Sequence, residues 1–106
     1  RALASELGAD HLIDPASQDV VQAAMELTGG LGYDVVLDCS GSVRAVTSLP
    51  DITANCGMLI YGAQYPNEYE LPFNISKYCY FKEITVTGVM VAPYAYPPAP
   101  QPQVPD

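Results

Sequence analysis

Asp34-Val35-Val36-Leu37-Asp38-Cys39-Ser40-Gly41-Ser42 has the composition of a strand that hands over to a helix. Val35, Val36 and Leu37 form a continuous β-branched and aliphatic run, the pattern of a strand buried on both faces, as central strands of parallel sheets are. Cys39 to Ser42 is small and polar and leads into a helical stretch, Val43 to Ala54. Open α/β sheets bind ligands outside the carboxyl ends of their strands, so this turn has the polarity of a binding edge. The hydroxyls of Ser40 and Ser42, with amides bared by Gly41, suit a ribose or a phosphate. A strand-to-helix turn with an ordinary serine cap accounts for the same residues.

Upstream, Ala2, Leu3 and Leu7 lie on one helical stripe that Gly8 terminates, as a helix tail would. His11 to Asp14 is a short strand candidate closed by Pro15. Ser17 stands as N-cap of a helix through Leu27, with Val20, Val21, Ala24 and Leu27 on its apolar face. The cluster Gly29-Gly30-Leu31-Gly32 follows that helix and feeds a strand. A phosphate loop needs the opposite order, strand then helix, so that its amides face the phosphate. The cluster is read as a helix stop and turn.

Downstream, Pro50 must kink or break the helix that Asn55-Cys56-Gly57 ends. Met58 to Ala63 is the next strand, Gln64 to Phe73 is irregular, Asn74 caps a short helix through Tyr80, and Glu83 to Val89 is the last strand. The alternation predicts an α/β fold, a parallel sheet with helical crossovers. Tyr61-Gly62-Ala63 and Thr87-Gly88-Val89 place two further small-residue turns on the edge that carries Ser40 to Ser42, and Gly62 would let a flat ligand approach the backbone. Residues 1–91 are read as one domain. Residues 92–106 hold six prolines, which excludes helix and central strand and predicts polyproline II or disorder.

Of the 106 residues, 49% are apolar and 15% charged, with no run long enough to span a bilayer. The net charge of −8, twelve acids against four bases, repels nucleic acid and anionic membrane surfaces. Cys39, Cys56 and Cys79 form no Cys-x-x-Cys pair, which argues against a disulfide framework or a complete thiolate metal site and points to a reducing, cytoplasmic compartment. His11 is the single histidine and has no second imidazole or cysteine at ligand spacing, so no catalytic or metal-binding constellation is expected. The first residues lack a signal-peptide core, and the absence of an initiating Met implies upstream sequence.

The ordered runs Glu6-Leu7-Gly8-Ala9-Asp10-His11, Ile13-Asp14-Pro15 and Leu27-Thr28-Gly29-Gly30-Leu31-Gly32-Tyr33-Asp34-Val35-Val36 resemble the medium-chain dehydrogenase family, in which zinc-dependent alcohol, sorbitol and threonine dehydrogenases carry similar runs. Asp38-Cys39-Ser40-Gly41, Met58 to Gly62 and Lys82 to Gly88 follow in the family's order, so the resemblance covers about residues 1–91. It implies part of an NAD- or NADP-dependent oxidoreductase. The implied fold is a partial Rossmann-like parallel sheet, family strands three to six, that is incapable of turnover by itself. Ser40, Gly41 and Ser42 would match the adenine-ribose side of the cofactor, and Gly62, Ala63 and Gly88 the nicotinamide side. The pyrophosphate loop, the acid that selects NAD over NADP, and the zinc ligands belong upstream of Arg1.

Two departures from the family stand out. Cys56 occupies a position usually held by Gly, and the Pro-rich segment replaces a helix, as a truncation or altered reading frame would. In the family's strand order, strands three and four flank two that this chain lacks. Neighbouring strands lie about 4.8 Å apart, so an opening of about 14 Å would separate them. The first segment is therefore expected beside strand four or loosely attached. In many dimeric members the last strand pairs with its copy, so Ile84 to Val89 is a candidate homodimer edge. A non-catalytic binding module that recruits a partner through the Pro-rich segment is the alternative reading.

Overall fold

Three strands, β1 (Tyr33–Asp38), β2 (Thr53–Tyr61) and β3 (Thr85–Gly88), form a parallel sheet in the order β1-β2-β3. The computed structural model describes residues 2–89, so the Pro-rich segment 92–106 and the expectations attached to it lie outside the described residues. β2 is the central strand. Val36 pairs with Leu59 and Leu59 with Val86, and farther along Asp38 pairs with Tyr61 and Tyr61 with Gly88. Parallel pairing obliges the chain to cross back between strands. Helices α1 (Val43–Val46) and α2 (Leu49–Ile52) make the first crossing and the π-helical turn Ser76–Tyr80 the second. A helix at Val20–Leu27 precedes β1, and a short helical piece, Ala2–Glu6, lies further upstream.

Ala24, Val36, Ile52 and Leu59 form the core, with Ile13, Val21, Met25, Tyr33, Leu49 and Tyr61 packed around it. Val36 and Leu59, register partners in neighbouring strands, meet this cluster from one side of the sheet. Side chains alternate along a strand, so Val35, Leu37 and Met58 point the other way, where they are 63%, 55% and 40% exposed. The expectation that β1 is buried on both faces is therefore corrected. The helix α2 touches both β1 and β2 on the core side, and no described element covers the opposite face.

His11 to Asp14 is not a strand, so the sheet has three strands where four were expected. No described strand pairs with it, and a turn follows at its end: the Asp14 carbonyl accepts from the Ser17 and Gln18 amides at 3.1 and 2.9 Å, and Asp14 Oδ1 accepts from the Ala16 amide at 3.0 Å. Ile13 attaches the segment to the core. The same turn displaces the expected cap. Ser17 is absorbed by it, and Asp19 caps Val20–Leu27, its Oδ1 accepting from the Gln22 amide at 3.0 Å. At the other end Thr28 Oγ1 donates to the Ala24 carbonyl at 2.7 Å and accepts from the Gly32 amide at 2.9 Å, which stitches the helix end to the start of β1.

The stretch read as one helix from Val43 to Ala54 is two, with Pro50 in the first turn of α2, where a missing N–H costs nothing. β2 begins at Thr53, earlier than the expected Met58, because Thr53 already pairs with Tyr33. Between that pair and Val35–Met58 the register shifts. The shift is absorbed at Cys56, whose φ is 61° and whose amide donates to the Lys82 carbonyl at 2.7 Å. A left-handed residue here explains why glycine suits the position. Lys82 Nζ donates to the Pro50 carbonyl at 2.9 Å, a cation at the carboxyl end of α2. Glu83, with φ 54°, delays β3 to Thr85. Asn74 caps the second crossover as expected, its Oδ1 accepting from the Lys77 amide at 3.0 Å. No helix among the described residues is long and apolar enough to cross a membrane.

Two substitutions test this backbone account by urea denaturation. Gly32 has φ 79°, and a Cβ there would meet the Ile52 carbonyl oxygen at 2.8 Å, so Gly32→Ala is expected to cost roughly 2–3 kcal/mol. Cys56→Gly relieves a left-handed side chain and is expected to add up to about 1 kcal/mol.

Candidate functional site

The carboxyl ends of the three strands are joined by hydrogen bonds. The Gly62 amide donates to the Asp38 carbonyl at 2.9 Å, and the Val89 amide donates to the Tyr61 carbonyl at 3.0 Å. The turns after β1, β2 and β3 therefore line one edge, and Ser40, Gly41, Ser42, Gly62, Ala63 and Gly88 are brought together there. Gly41 has φ 66°, and a Cβ on it would stand 2.9 Å from the Gln64 carbonyl oxygen and 3.8 Å from the Ala63 side chain. Its glycine is required by the close passage of the loop after β2. Gly88 differs, because a Cβ there would meet nothing nearer than the Tyr61 carbonyl oxygen at 3.7 Å, so space beside the end of β3 is open.

The turn after β1 is organised by Asp38, a buried carboxylate at the last position of the strand. Its Oδ1 accepts from the Ser40 amide at 3.0 Å and the Ser40 hydroxyl at 2.8 Å, and its Oδ2 accepts from the Tyr65 hydroxyl. The Ser40 hydroxyl also accepts from the Ser42 amide at 3.1 Å. The Ser40 hydroxyl, expected to reach a ligand, is thus engaged within the turn. Burial pushes the Asp38 carboxyl up, but the hydrogen bonds from Tyr65 and Ser40 outweigh it and hold the group below its ordinary value. Burial and the bond to the Asp38 anion push the Tyr65 hydroxyl from 10.0 to about 12.

Sequence reasoning passed over three residues here. Asp38 carried a signal, an acid two residues before a serine, which is the spacing of an Asx turn. Tyr65 carried none, because it lies 27 residues from its partner. Arg44, one of four basic side chains, lines a cleft of about 470 Å³ together with Pro15, Ala16, Ser42 and Ala45. The cleft places a permanent cation beside the Ser42 turn. Among the described residues no three His, Cys, Asp or Glu side chains gather to hold a metal ion, so zinc does not fit the side chains described.

A family model described as zinc-binding dehydrogenase matches residues 1–101. The chain is 35% identical over 89 residues to the L-threonine 3-dehydrogenase of Pyrococcus abyssi, covering 84% of this chain and 25% of that protein. It is 38% identical over 85 residues to the sorbitol dehydrogenase of Halalkalibacterium halodurans, covering 80% of this chain and 24% of the relative. A solved structure from Sinorhizobium meliloti 1021, described as a zinc-binding dehydrogenase bound to NADP, superposes with a TM-score of 0.75 at 29% identity over 83% of this chain and 26% of that one. The chain thus spans about a quarter of the length of these relatives.

The Asp38 network has a pH signature. The native carboxyl titrates below its unfolded value of about 3.9, so its contribution is complete above that pH and is lost as pH falls through the lower native value. For Tyr65 the native value is raised, so its contribution is complete below 10 and is lost as pH rises through about 12. Urea midpoints between pH 2 and 7 should fall steeply at the acid end and lose part of that slope in Asp38→Asn. Tyr65→Phe should cost about 1–3 kcal/mol at neutral pH, because it strips a donor from a buried anion.

Proposed function

As the chain belongs to the zinc-binding dehydrogenase family, we propose that it forms part of the cofactor-binding domain of an oxidoreductase acting on a secondary alcohol or polyol. The observation that carries this is the convergence of three small-residue strand ends on one edge, beside a cleft that presents Ser42 and Arg44. The Arg44 guanidinium offers planar, paired donors to a phosphate or ribose. Ser40 acts by fixing the Ser42 amide, and Gly41 by letting the Gln64 carbonyl close over the turn. Gly62 and Ala63 follow β2 on the same edge, and the open space at Gly88 suits a flat ring. A bound NAD or NADP supplies the hydride acceptor or donor. Zinc would need ligands from outside the described residues, so no step is assigned to it.

The isolated chain is proposed to lack turnover and to bind cofactor weakly. Its glycine cluster stops a helix, so no described loop cradles a pyrophosphate. The three cysteines are free and exposed, which supports a reducing compartment such as the cytoplasm. β3 is an edge strand with all four residues exposed, which supports a homodimer through Ile84 to Val89, although Ile84 is itself buried within the chain.

Titration of the whole chain with NAD should give a dissociation constant of millimolar or weaker. Arg44→Ala should weaken it roughly fivefold to tenfold through the lost charge-assisted bond. Gly88→Ala should weaken it while leaving the unfolding midpoint unchanged. Micromolar binding indifferent to Arg44→Ala would overturn the assignment of this edge. Sedimentation at micromolar concentration should show a dimer, and a clean monomer would rule out the β3 edge as its interface.

A further inference from the structure

Among the described residues stand three lysine and arginine side chains, and two of them are spent within the molecule. Lys77 pairs with Asp51 at 3.1 Å, and Lys82 Nζ donates to the Pro50 carbonyl at 2.9 Å. Arg44 makes no ion pair among the described residues, although the chain carries twelve acids. The Ser42 hydroxyl, at the N-cap position of α1, makes no capping hydrogen bond. Both side chains line the cleft of about 470 Å³, whose remaining lining is Pro15, Ala16 and Ala45. No carboxylate lines it. Asp14 lies next to Pro15 in sequence, but its Oδ1 is held by the Ala16 amide at 3.0 Å within the turn. Arg44 is exposed, so a ligand in the cleft can reach it.

We infer that this cleft takes a phosphomonoester, the 2′-phosphate of NADP, on Arg44 and Ser42, so that the chain selects NADP over NAD. The inference rests on the cofactor reading of this edge, in which the turn from Ser40 to Ser42 flanks the adenine ribose. A phosphomonoester carries about −1.5 to −2 charges near pH 7 and three strong acceptor oxygens. The guanidinium offers it a planar fork of donors, and the serine hydroxyl offers one more. A bare ribose calls for a different partner, a carboxylate that accepts from its 2′-hydroxyl, and the cleft lining contains none. The rest of the chain sharpens the choice, since a net charge of −8 repels an anion except where a cation stands unopposed. This contact is separate from the selecting acid that the family resemblance places upstream of Arg1.

The test is titration of the whole chain with NADP, NAD, 2′-AMP and 5′-AMP, followed through the backbone amide NMR signals. Saturable shifts centred on Ala16, Ser42, Arg44 and Ala45 are expected, with NADP roughly fivefold tighter than NAD and 2′-AMP roughly fivefold tighter than 5′-AMP. The two AMP isomers carry the same charge, so the second preference reports where the phosphate sits. Arg44→Ala should weaken NADP more than NAD until the two are equal, with the unfolding midpoint unchanged because the side chain is exposed. The preference for NADP should also shrink as salt is raised. NAD binding as tightly as NADP, equal affinity for the AMP isomers, or a preference that survives Arg44→Ala would overturn the inference and leave the cofactor edge standing. Absence of saturable shifts from all four ligands would overturn the cofactor reading and this inference with it.

Discussion

Leu59, with no exposed surface, is held among Ala24, Val36 and Ile52, and the rest of the molecule is arranged around that contact. A buried leucine of this kind is worth about 2–5 kcal/mol, a large share of the roughly 5–15 kcal/mol that stabilises a typical domain. It fixes β2 as the middle strand and decides which face of the sheet the helices occupy. With Leu59 turned toward Ile52 of α2 and Ala24 of the first long helix, the partner residues Val36 and Val86 are turned the same way by register. Tyr61, two residues on, shares that face and lines a cleft with Val46, Tyr65, Tyr69 and Leu71.

Parallel pairing then collects the carboxyl ends of all three strands on one edge, whatever residues they carry. The content of that edge depends on a buried carboxylate. Asp38 would be costly in an apolar interior without partners, and its donors come from the turn that follows it and from Tyr65 on a different loop. The same anion thus ties together the two turns proposed to flank a cofactor and forms part of the electrostatic setting of Tyr61. A chain with net charge −8 has few cations to place. One of them, Arg44, stands in the cleft beside Ser42 and another, Lys82, closes the end of α2.

The sheet is sided in a way its composition does not announce. Val35, Leu37 and Met58 have the character of core residues and are exposed, because the described elements pack on the other face alone. A strand reads as doubly buried when both its faces are apolar, and its sequence cannot say whether a covering layer lies within the same stretch of chain.

Local features were legible in the sequence because they depend on neighbours a few residues away. The helix before Gly29, the break at Pro50, the cap at Asn74, the alternation that demands a parallel sheet and the three turns on one edge all follow from backbone propensity, side-chain period and turn chemistry. Two local expectations gave way: no described strand pairs with His11 to Asp14, and the turn at Asp14 took Ser17 from its expected cap. What the fold alone decided are the contacts between residues far apart in sequence. Tyr65 meets Asp38, the Gln64 carbonyl makes Gly41 obligatory, Lys82 reaches α2, and the Tyr61 hydroxyl is buried without a hydrogen-bond partner among the described residues. None has a sequence signature, because which distant groups meet is set by the crossing path and register of the strands, whereas propensity and periodicity act over a turn or two of chain.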